Sequence, residues 1–477
     1  MPFKDIIFGE FAPDRGGLPY PSDPGYLVVA NNVRPTVGGY RPMAIDEVVE
    51  SAATLGVTPV SAAGFSITST PRHYVGAATS LYESDDFGVT WNDNSGAVYT
   101  TSTFWDFALF ETYVIAVNGS NAPQSKLITD ADTVNFGNLA GSPPTALAVA
   151  RVRDHVVLGG LSTNFYAVQW SDIGNPASWS TPGTAAALAA QAGSQELPRE
   201  LGIISQLVGG EKFGLVFQPF GITRMTYVGG NVVYNFDTFE RARGSGFRKS
   251  AIMVGGHCYF MSSTGACRTD GYSVENISAG KIEDAIVRDF MSLTEGVQFG
   301  WGVAYDSRTS TVMWGCASAY VLCYHIPYGR FSIMALASTP LDYTLYSVNL
   351  GASTESDMQV PYAFNSTPKL VSFTDQTAVP VTLRTGYFEL VDGIATIVGL
   401  EPLGNGSSIG LTSKSVMTMG SADLSSSGYT AASSPSRSHL YRIRQSGRYH
   451  SLGLTDTSGA ADTFQGVRVH YEVASRL

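Results

Sequence analysis

The chain has 477 residues and a formal net charge of −11, and only 14% of its residues are charged. Ordinary soluble domains contain about 25% charged residues, so the 51 Gly, 24 Tyr and 24 Phe indicate a chain of turns and β-strands rather than of solvated helices. The acidic balance gives no indication of a protein that wraps nucleic acid by neutralising its phosphates.

The negative charge is unevenly distributed. The first 400 residues hold 22 Lys/Arg against 35 Asp/Glu, whereas residues 401–477 hold seven Lys/Arg against five Asp/Glu. Ordinary solubility accounts for an acidic surface, and we favour this explanation. An acidic wall would also repel DNA, which suits a conduit through which DNA slides without sticking.

The cysteines and the lack of apolar segments indicate where the protein is made. Cys258, Cys267, Cys316 and Cys323 have neither C-x-x-C spacing nor a His partner at zinc-ligand distance, so they are predicted to be buried thiols. The sequence shows no signal pattern and no apolar run close to the roughly 18 residues that span a bilayer. We therefore expect assembly in a reducing cytoplasm, without membrane insertion by this chain.

In chain order, residues 1–58 come first, and segments such as "GGLPYPSDPG" predict an extended N-terminal arm that packs on the propeller or on a neighbouring subunit. Residues 59–378 consist of β-rich pairs separated by short polar or Gly breaks, as in "RHYVGAATSLYES" and "FALFETYVIAVNG". The pairs begin near residues 61, 100, 145, 200, 249, 298 and 341. Four short strands fit this period, which predicts a mainly β fold with a β-propeller of about six to eight blades.

Two helices and a second domain are also predicted. In "AGKIEDAIVRDFMSL" (279–293), apolar residues recur at helical spacing. The Ala-rich "TAAALAAQA" (184–192) is either a helix or a flexible insertion between blades. Residues 379–477 form strands of a small C-terminal antiparallel β platform, with an exposed Ser-rich loop at 424–438.

The stretch "SDDFGVTW" fits the Asp-box pattern Ser/Thr-x-Asp-x-Gly-x-Thr-Trp, which occurs in sialidases and other β-propellers. The matching residues are Ser84, Asp86, Gly88, Thr90 and Trp91. Asp86 is suited to accept backbone N–H groups across a turn, Gly88 to supply a positive φ, and Trp91 to pack under the neighbouring blade. None of these tasks needs a substrate, so the motif predicts a structural hairpin.

Candidate catalytic residues are few. A sialidase needs an arginine triad and a Tyr nucleophile, for which the candidates are Arg151, Arg224, Arg268 and Tyr227. Chance placement among 24 tyrosines explains such a set. "GSSIG" fits a nucleophile elbow around Ser408, but it lies between antiparallel-type strands rather than at a strand-to-helix turn. No nucleotide or metal motif occurs, so we expect neither an enzyme nor a bound cofactor or metal.

One basic cluster occurs, in "YRIRQSGRYH" (441–450). On a strand, Arg442, Arg444 and Arg448 share one face because their spacing is even. That face suits either DNA phosphates or acidic residues of a neighbouring subunit. We favour the subunit contact, because three arginines are few for a moving polymer.

Several stretches, taken in order, resemble the nozzle proteins of short-tailed bacteriophages, also called tail tubular protein B-like or DNA-stabilisation proteins. They are "FGEFAPD…LVVANNVRPTVGGYRP", "RDHVVLGGL…VQWSDIGNPASW", "FGLVFQPFGITRMTYVGG", "GGHCYFMSSTGACRTDGYSVENISAGKIEDAIVRDF", "GVAYDSRTSTVMWGCASAYVLCYHIPYGRFS", "LRTGYFEL" and "SGRYHSLGL…GVRVHYEV". Each stretch is short, so the resemblance depends on their order and co-occurrence. The single Asp box departs from the family pattern.

The resemblance implies a propeller joined to a β platform, and a structural virion protein of the phage tail. Family members form a sixfold ring at the distal end of the tail. A homohexamer is therefore expected, in contact with the tail adaptor ring, with tail fibres or a tail needle, and transiently with double-stranded DNA in its lumen. The implied function is to form the DNA exit channel, to retain packaged DNA and to gate its ejection. The alternatives are a sialidase-type glycoside hydrolase and a glycan-binding propeller.

Overall fold

The computed structural model describes residues 2–16, 18–19, 22–43, 47–49, 51–67, 71–286, 301–315, 320–336, 344–349, 358–373, 380–405, 408–418, 428–434, 439–457 and 462–476. These ranges contain the strands β1 to β40 and two short α-helices. The first five strands precede the propeller in sequence: β1 (Phe3–Ile7), β2 (Leu27–Asn31), β3 (Val33–Thr36), β4 (Gly39–Pro42) and β5 (Glu47–Val48).

Seven antiparallel blades follow. Blade 1 consists of β6 (Pro59–Phe65), β7 (Arg72–Ala77), β8 (Leu81–Ser84) and β9 (Asn92–Asp93). Blade 2 consists of β10 (Asp106–Phe110), β11 (Tyr113–Val117), β12 (Gln124–Leu127) and β13 (Gly137–Asn138). Blade 3 consists of β14 (Ala146–Val152), β15 (His155–Leu161), β16 (Asn164–Trp170) and β17 (Gly193–Glu196), with helix α1 (Ala185–Ala190) before β17.

The remaining blades repeat the pattern. Blade 4 consists of β18 (Gln206–Val208), β19 (Phe213–Gln218), β20 (Gly221–Gly229) and β21 (Val233–Glu240). Blade 5 consists of β22 (Ile252–Val254), β23 (His257–Ser262), β24 (Gly265–Thr269) and β25 (Val274–Asn276), and helix α2 (Glu283–Ala285) follows it. Blade 6 consists of β26 (Gly302–Asp306), β27 (Thr311–Gly315), β28 (Tyr320–His325) and β29 (Arg330–Ala335). Blade 7 contains β30 (Tyr346–Asn349), β31 (Gln359–Phe364) and β32 (Leu370–Ser372).

The blades form a closed ring. First strands of neighbouring blades contact one another from blade 1 to blade 4 and from blade 5 to blade 7, and β30 of blade 7 contacts β6 of blade 1. Blades 4 and 5 pack through a shared hydrophobic cluster that includes Phe217 and Phe260. Because each blade packs between two others, its second strand is buried on both faces: every residue of β15 ("HVVLGGL") and of β27 ("TVMWG") is buried. Gly76 on β7 is needed for this packing, because a Cβ there would lie 2.3 Å from Trp105 of blade 2. The prediction of a mainly β propeller is confirmed, with a blade number inside the expected range.

Blade 7 is completed by the N-terminal segment. Blade 7 takes its fourth strand from β5, in which Val48 pairs with Val371 of β32. The outermost strand of the last blade is therefore supplied from residues that come before the first blade. Without β5, the backbone groups of β32 would face solvent as an open edge.

The platform combines both ends of the chain. Its C-terminal strands are β33 (Val381–Thr385), β34 (Phe388–Glu389), β35 (Gly393–Gly404), β36 (Ile409–Val416), β37 (Thr430–Ala431), β38 (Tyr441–Gly447), β39 (Tyr449–Asp456) and β40 (Phe464–Arg476). One platform sheet has the order β3-β4-β40-β35-β38, with β1 also paired to β40. The other has the order β2-β33-β39-β36-β37, with β34 on β39.

The second platform sheet continues into the propeller. Strand β2 pairs in parallel with β29 of blade 6 and antiparallel with β33, so one sheet runs from blade 6 to the platform edge. At this junction the side chain of Asn32 accepts from the backbone N–H of Ala335 (2.8 Å) and donates to the carbonyl of Pro380 (2.9 Å). One hydrophobic cluster spans the junction, from Trp314 of blade 6 to Val467 of β40.

The N-terminal segment and the helix predicted over 279–293 differ from expectation. Residues 1–58 are not an extended arm: their strands belong to the platform and to blade 7, because only long-range pairing satisfies the backbone groups of those sheets. For the same reason, residues 379–477 do not form the platform alone. The helix expected over 279–293 is a single turn at Glu283–Ala285 in its described part, capped by the carboxylate of Asp14; residues 287–293 lie outside the described ranges. The Ala-rich segment forms α1, with Thr184 as its N-cap.

Blades 1 and 2 share a buried ionic network. Glu83 and Lys126 form an ion pair in which both side chains are fully buried. Glu83 also accepts from Arg72 (2.5 Å) and from the hydroxyl of Tyr74 (3.1 Å), while Lys126 donates to the carbonyl of Ala131 (3.0 Å). A buried charge is tolerated only when it is paired and hydrogen-bonded, so this network fixes how the two blades pack.

The junction between blades 5 and 6 gives a stability prediction. Trp314 is fully buried, and its indole N–H donates to the carbonyl of Ser250 (2.9 Å). Trp314→Ala is expected to lower the free energy of unfolding by about 3–5 kcal/mol, because it leaves a cavity and an unpaired carbonyl. Val98→Ala, at a position that is 88% exposed, is the control and should change stability by less than about 0.5 kcal/mol. Equal urea midpoints for the two variants would contradict the prediction.

Candidate functional site

The Asp-box residues form the connection between β8 and β9. The Ser84 hydroxyl donates to Asp86 (2.8 Å) and accepts from the N–H of Gly88 (2.8 Å). The Asp86 carboxylate also accepts from the N–H of Thr90 (2.9 Å). Gly88 has φ +81, and a Cβ there would lie 3.2 Å from Leu370 of blade 7. Burial acts to raise the pKa of Asp86, but the hydrogen bonds from Thr90 and Ser84 outweigh it and hold the pKa below its ordinary value.

This hairpin packs against the blade that closes the ring. The ring of Trp91 lies 5.4 Å from the ring of Phe364 in blade 7. Close by, the Nδ1 atom of buried His73 is hydrogen-bonded to the hydroxyl of Tyr346 (2.7 Å), also in blade 7. Burial lowers the pKa of His73 to about 3, so its imidazole is neutral. The hairpin thus holds blade 1 against blade 7 and presents no catalytic pair.

The same position in other blades is also held by an aspartate. In blade 3, Asp172 accepts from the hydroxyl of Ser178 (2.6 Å) and the N–H of Ser180 (3.0 Å). In blade 5, Asp270 accepts from the N–H groups of Tyr272 and Ser273, both at 2.9 Å. These turns differ in sequence, but in each an aspartate accepts hydrogen bonds from residues that follow it. The Asp box of blade 1 is therefore a structural variant of a repeated hairpin.

Two of the sialidase candidates are occupied by separate partners. Arg151 on blade 3 pairs with Glu211 (3.1 Å), and Arg268 on blade 5 pairs with Glu275 (2.7 Å). Both pairs are partly exposed, where ion pairs contribute little to stability. Neither guanidinium is available in this arrangement to grip a substrate carboxylate.

The other two candidates are also engaged. The guanidinium carbon of Arg224 lies 4.7 Å from the ring centre of Phe213 and 4.0 Å from that of Tyr272. The hydroxyl of Tyr227 donates to the side chain of Gln191 (2.5 Å). Among the described residues, no hydrogen bond or ion pair joins any two of the four candidates. The structure therefore does not bring together an arginine triad with a Tyr nucleophile.

The basic cluster is divided between a strand and a turn. Arg442 and Arg444 lie on β38, are exposed and share one face. Strand β38 is at the edge of its sheet. Arg448 lies between β38 and β39, where it pairs with Glu389 (3.2 Å). Only two of the three arginines thus form an exposed basic edge.

The remaining sequence candidates have structural surroundings. Ser408 directly precedes β36 in an antiparallel sheet, so it is not at a strand-to-helix turn. Cys258, Cys267 and Cys323 are buried free thiols, and burial raises the pKa of each. Cys316 lies outside the described ranges. Within the described residues, no group of three or more His, Cys, Asp or Glu is arranged to hold a metal, and no helix there is long and apolar enough to cross a bilayer.

The main cavities lie along the propeller axis. One, of about 300 Å³, is lined by residues of six blades, including Phe104, Asp106 and Lys249. A second, of about 410 Å³, shares Asp106 and Phe107 with it and is also lined by Arg151 and Glu211. These two adjoining cavities are called the axial cavities.

Lys249 of blade 5 reaches across this axis. Its ammonium donates to the carbonyl of Ala62 in blade 1 and lies 5.6 Å from the ring centre of Phe107 in blade 2. Burial lowers the pKa of Lys249 to about 8, and the nearby charge of Asp106 limits the drop. Burial raises the pKa of Asp106, and Lys249 in turn limits that rise.

Sequence reasoning did not identify this pair. The two residues are 143 positions apart in the chain, and only ring closure brings them together. A signal was present for Asp106, which stands between two aromatic residues in "FWDF". A carboxylate in such a run is suited to a cavity rather than to an exposed turn. The run around Lys249 carries no comparable signal.

The Asp-box geometry predicts a local stability effect. Asp86→Ala removes acceptors for the Ser84 hydroxyl and the Thr90 N–H and is expected to cost about 1–2 kcal/mol of unfolding free energy. Because the folded-state pKa of Asp86 is lowered, this contribution is present at neutral pH and is lost as pH falls through that value. Asp85→Ala is the control, since Asp85 only approaches Arg72 at 4.0 Å. Equal denaturation midpoints of the two variants at pH 7 would exclude the proposed role of the turn.

The axial pair predicts a compensating double variant. Lys249→Met leaves Asp106 as an unbalanced charge and should lower the free energy of unfolding by about 1–3 kcal/mol at pH 8. Adding Asp106→Asn should recover most of the loss. Because the folded-state pKa of Asp106 is raised, its protonation favours the folded chain, so the defect of Lys249→Met should shrink as pH falls. A double variant that is no more stable than Lys249→Met would contradict this coupling.

Comparison with known proteins finds similar solved structures but no similar sequence family. No protein-family model and no curated protein matches the sequence. The solved structure of YCF48 bound to D1 peptide is similar over 70% of this chain and 97% of its own, with 11% identity and a TM-score of 0.44. The structure of the RRP9 WD40 repeats is similar over 70% of this chain and 98% of its own, with 9% identity and a TM-score of 0.45.

Proposed function

We propose that this chain is a structural subunit of the nozzle ring at the distal end of a short-tailed phage tail. In that place it forms part of the DNA exit channel, retains packaged DNA and gates its ejection. The proposal rests on the ordered resemblance of the stretches quoted above. The structural observation that carries it is the sheet shared by blade 6 and the platform through β2.

A ring that retains DNA under pressure needs subunits whose parts do not move apart. Strand β2 is hydrogen-bonded on both sides, so separating blade 6 from the platform requires breaking backbone bonds as well as opening a shared core. The propeller would provide the rigid wall, and loops at the platform end would close the exit. This function needs geometry and assembly rather than a reaction.

The charge distribution is compatible with a DNA conduit. Most of the acidic excess lies before residue 401, while Arg442 and Arg444 form a small exposed basic edge on β38. An acidic lumen would let DNA slide, and a basic edge would pair with an acidic surface of the next subunit. Tail adaptor proteins, and tail fibres or a tail needle, are the other expected partners.

The competing functions lack a specific observation in their favour. A sialidase-type hydrolase requires its arginines to converge, whereas Arg151, Arg224 and Arg268 each have different partners in different blades. A glycan-binding propeller would function as an isolated subunit. The decisive difference between the three functions is therefore oligomeric assembly.

Electron microscopy of the purified protein tests the proposal. We expect sixfold rings, and density for the same ring at the tip of a phage tail. Light scattering over a range of concentrations should give a mass near six times 50.7 kDa. A protein that stays monomeric and cleaves an aryl sialoside, or binds immobilised glycans, would overturn the proposal.

The basic edge gives a prediction about assembly. Arg442→Glu with Arg444→Glu should weaken the ring by at least about tenfold in subunit affinity, because two attractive contacts become repulsive. The control is Lys212→Glu with Arg241→Glu, which reverses two exposed charges on the propeller. Sedimentation at low and high salt measures the effect. Rings of unchanged stability in the β38 variant would show that this edge is not a subunit contact.

A further inference from the structure

A separate cavity of about 250 Å³ lies where β3 meets blades 6 and 7. Its polar lining consists of Arg34, Asp306, Arg308, Thr309, Thr311 and His325. These residues come from the platform strand β3 and from blade 6, while Phe373 of blade 7 forms part of the apolar wall. This cavity is distinct from the two axial cavities, because it shares no lining residue with either of them.

One carboxylate of the cavity is already satisfied. Asp306 accepts from both Nε and Nη2 of Arg308, each at 2.9 Å. The same Nη2 donates to the carbonyl of Phe373 (2.9 Å). The Nη1 group of Arg308 makes no hydrogen bond to any described residue, so its N–H groups remain available as donors.

The neutral lining residues form a closed network. Nδ1 of His325 is hydrogen-bonded to the hydroxyl of Thr311 (2.9 Å), and Nε2 to that of Ser332 (2.8 Å). Burial lowers the pKa of His325 to about 3, and the charge of Arg34 acts in the same direction. His325 therefore adds no charge to the cavity. The effect of Arg34 on the pKa of His325 shows that its guanidinium lies near this imidazole.

Among the described residues, the guanidinium of Arg34 has no carboxylate or other acceptor as a partner. Its side chain is half-buried and makes no hydrogen bond or ion pair with any residue that the structure describes. Its cross-strand neighbour Arg41 is also positive and donates to the hydroxyl of Thr463 (3.0 Å). Two guanidinium groups line the cavity against one carboxylate, so one positive charge is left over. No guanidinium nitrogen of Arg34 or Arg308 is a fully buried atom without a partner, so both groups are accessible to a ligand, and a bound anion would pair with the positive charge that is left over.

We infer that this cavity binds a small oxyanion, a phosphate group or a carboxylate, between the guanidinium of Arg34 and the Nη1 group of Arg308. Guanidinium groups donate in a planar fork that matches the oxygen spacing of both anions. Because Arg34 belongs to the platform and Arg308 to blade 6, the bound anion links the two parts of the chain. The inference is independent of the proposed nozzle function.

Thermal unfolding and calorimetric titration of the full chain test the site. Inorganic phosphate should raise the Tm by about 2–4 °C over chloride at equal ionic strength. Acetate in a parallel series shows whether a carboxylate occupies the site instead. Arg34→Met should lower the affinity for the bound anion by at least about tenfold. Arg34→Lys keeps the charge but loses the planar fork, so its affinity should lie between those of the unmodified chain and Arg34→Met.

Arg41→Met is the matched control, because it removes the facing arginine of the same hairpin but not a lining residue. It should bind the anion like the unmodified chain. The inference is overturned if neither phosphate nor acetate shifts the Tm more than chloride does. It is also overturned if Arg34→Met, shown to be folded by circular dichroism, binds as tightly as Arg41→Met. If Arg34→Met does not fold, Arg34→Lys replaces it in this comparison: weaker anion binding than in Arg41→Met supports the inference, and equal binding overturns it.

Discussion

The structure depends on one interaction: strands of the N-terminal segment pair with strands of the last two blades and of the C-terminal part of the chain. Blade 7 would end at β32 and blade 6 at β29 if each used only neighbouring segments of the chain. An open edge exposes a row of unpaired N–H and C=O groups that attracts other strands. The N-terminal segment removes both edges, since β5 covers β32 and β2 covers β29. The four-stranded blade 7 and the platform fused to blade 6 follow from that pairing.

Buried polar groups then determine how the blades fit together. Glu83 and Lys126 connect blades 1 and 2, and His73 with Tyr346 connects blades 1 and 7. Across the axis, Lys249 reaches from blade 5 towards blade 1. Each contact has a directional requirement that apolar packing lacks, so a displaced blade would leave buried groups unsatisfied. The propeller is consequently a poor candidate for an element that opens.

Local sequence patterns were sufficient for the propeller but not for its closure. Paired β-rich runs at a regular period predicted the blades, because each blade is built from consecutive strands. The residues of "SDDFGVTW" lie together in one turn for the same reason. Strand β5 was not predicted, because a strand of two residues has no periodic pattern. The pairing of β2 was not predicted, because its partners are about 300 and 350 positions away in the chain. The Lys249–Asp106 and Arg34–Arg308 groupings depend on which blades meet, which no local pattern encodes.

The pairing of β4 and β1 with β40 has a consequence for biosynthesis. These two strands are synthesised more than 400 residues before their partner β40. At about 5–20 residues per second, they wait for roughly 20–90 s without a partner. A chain that ends before β40 therefore lacks the pairing partner of β1 and β4. The delay acts as a check on synthesis, since only chains translated through β40 acquire this platform sheet.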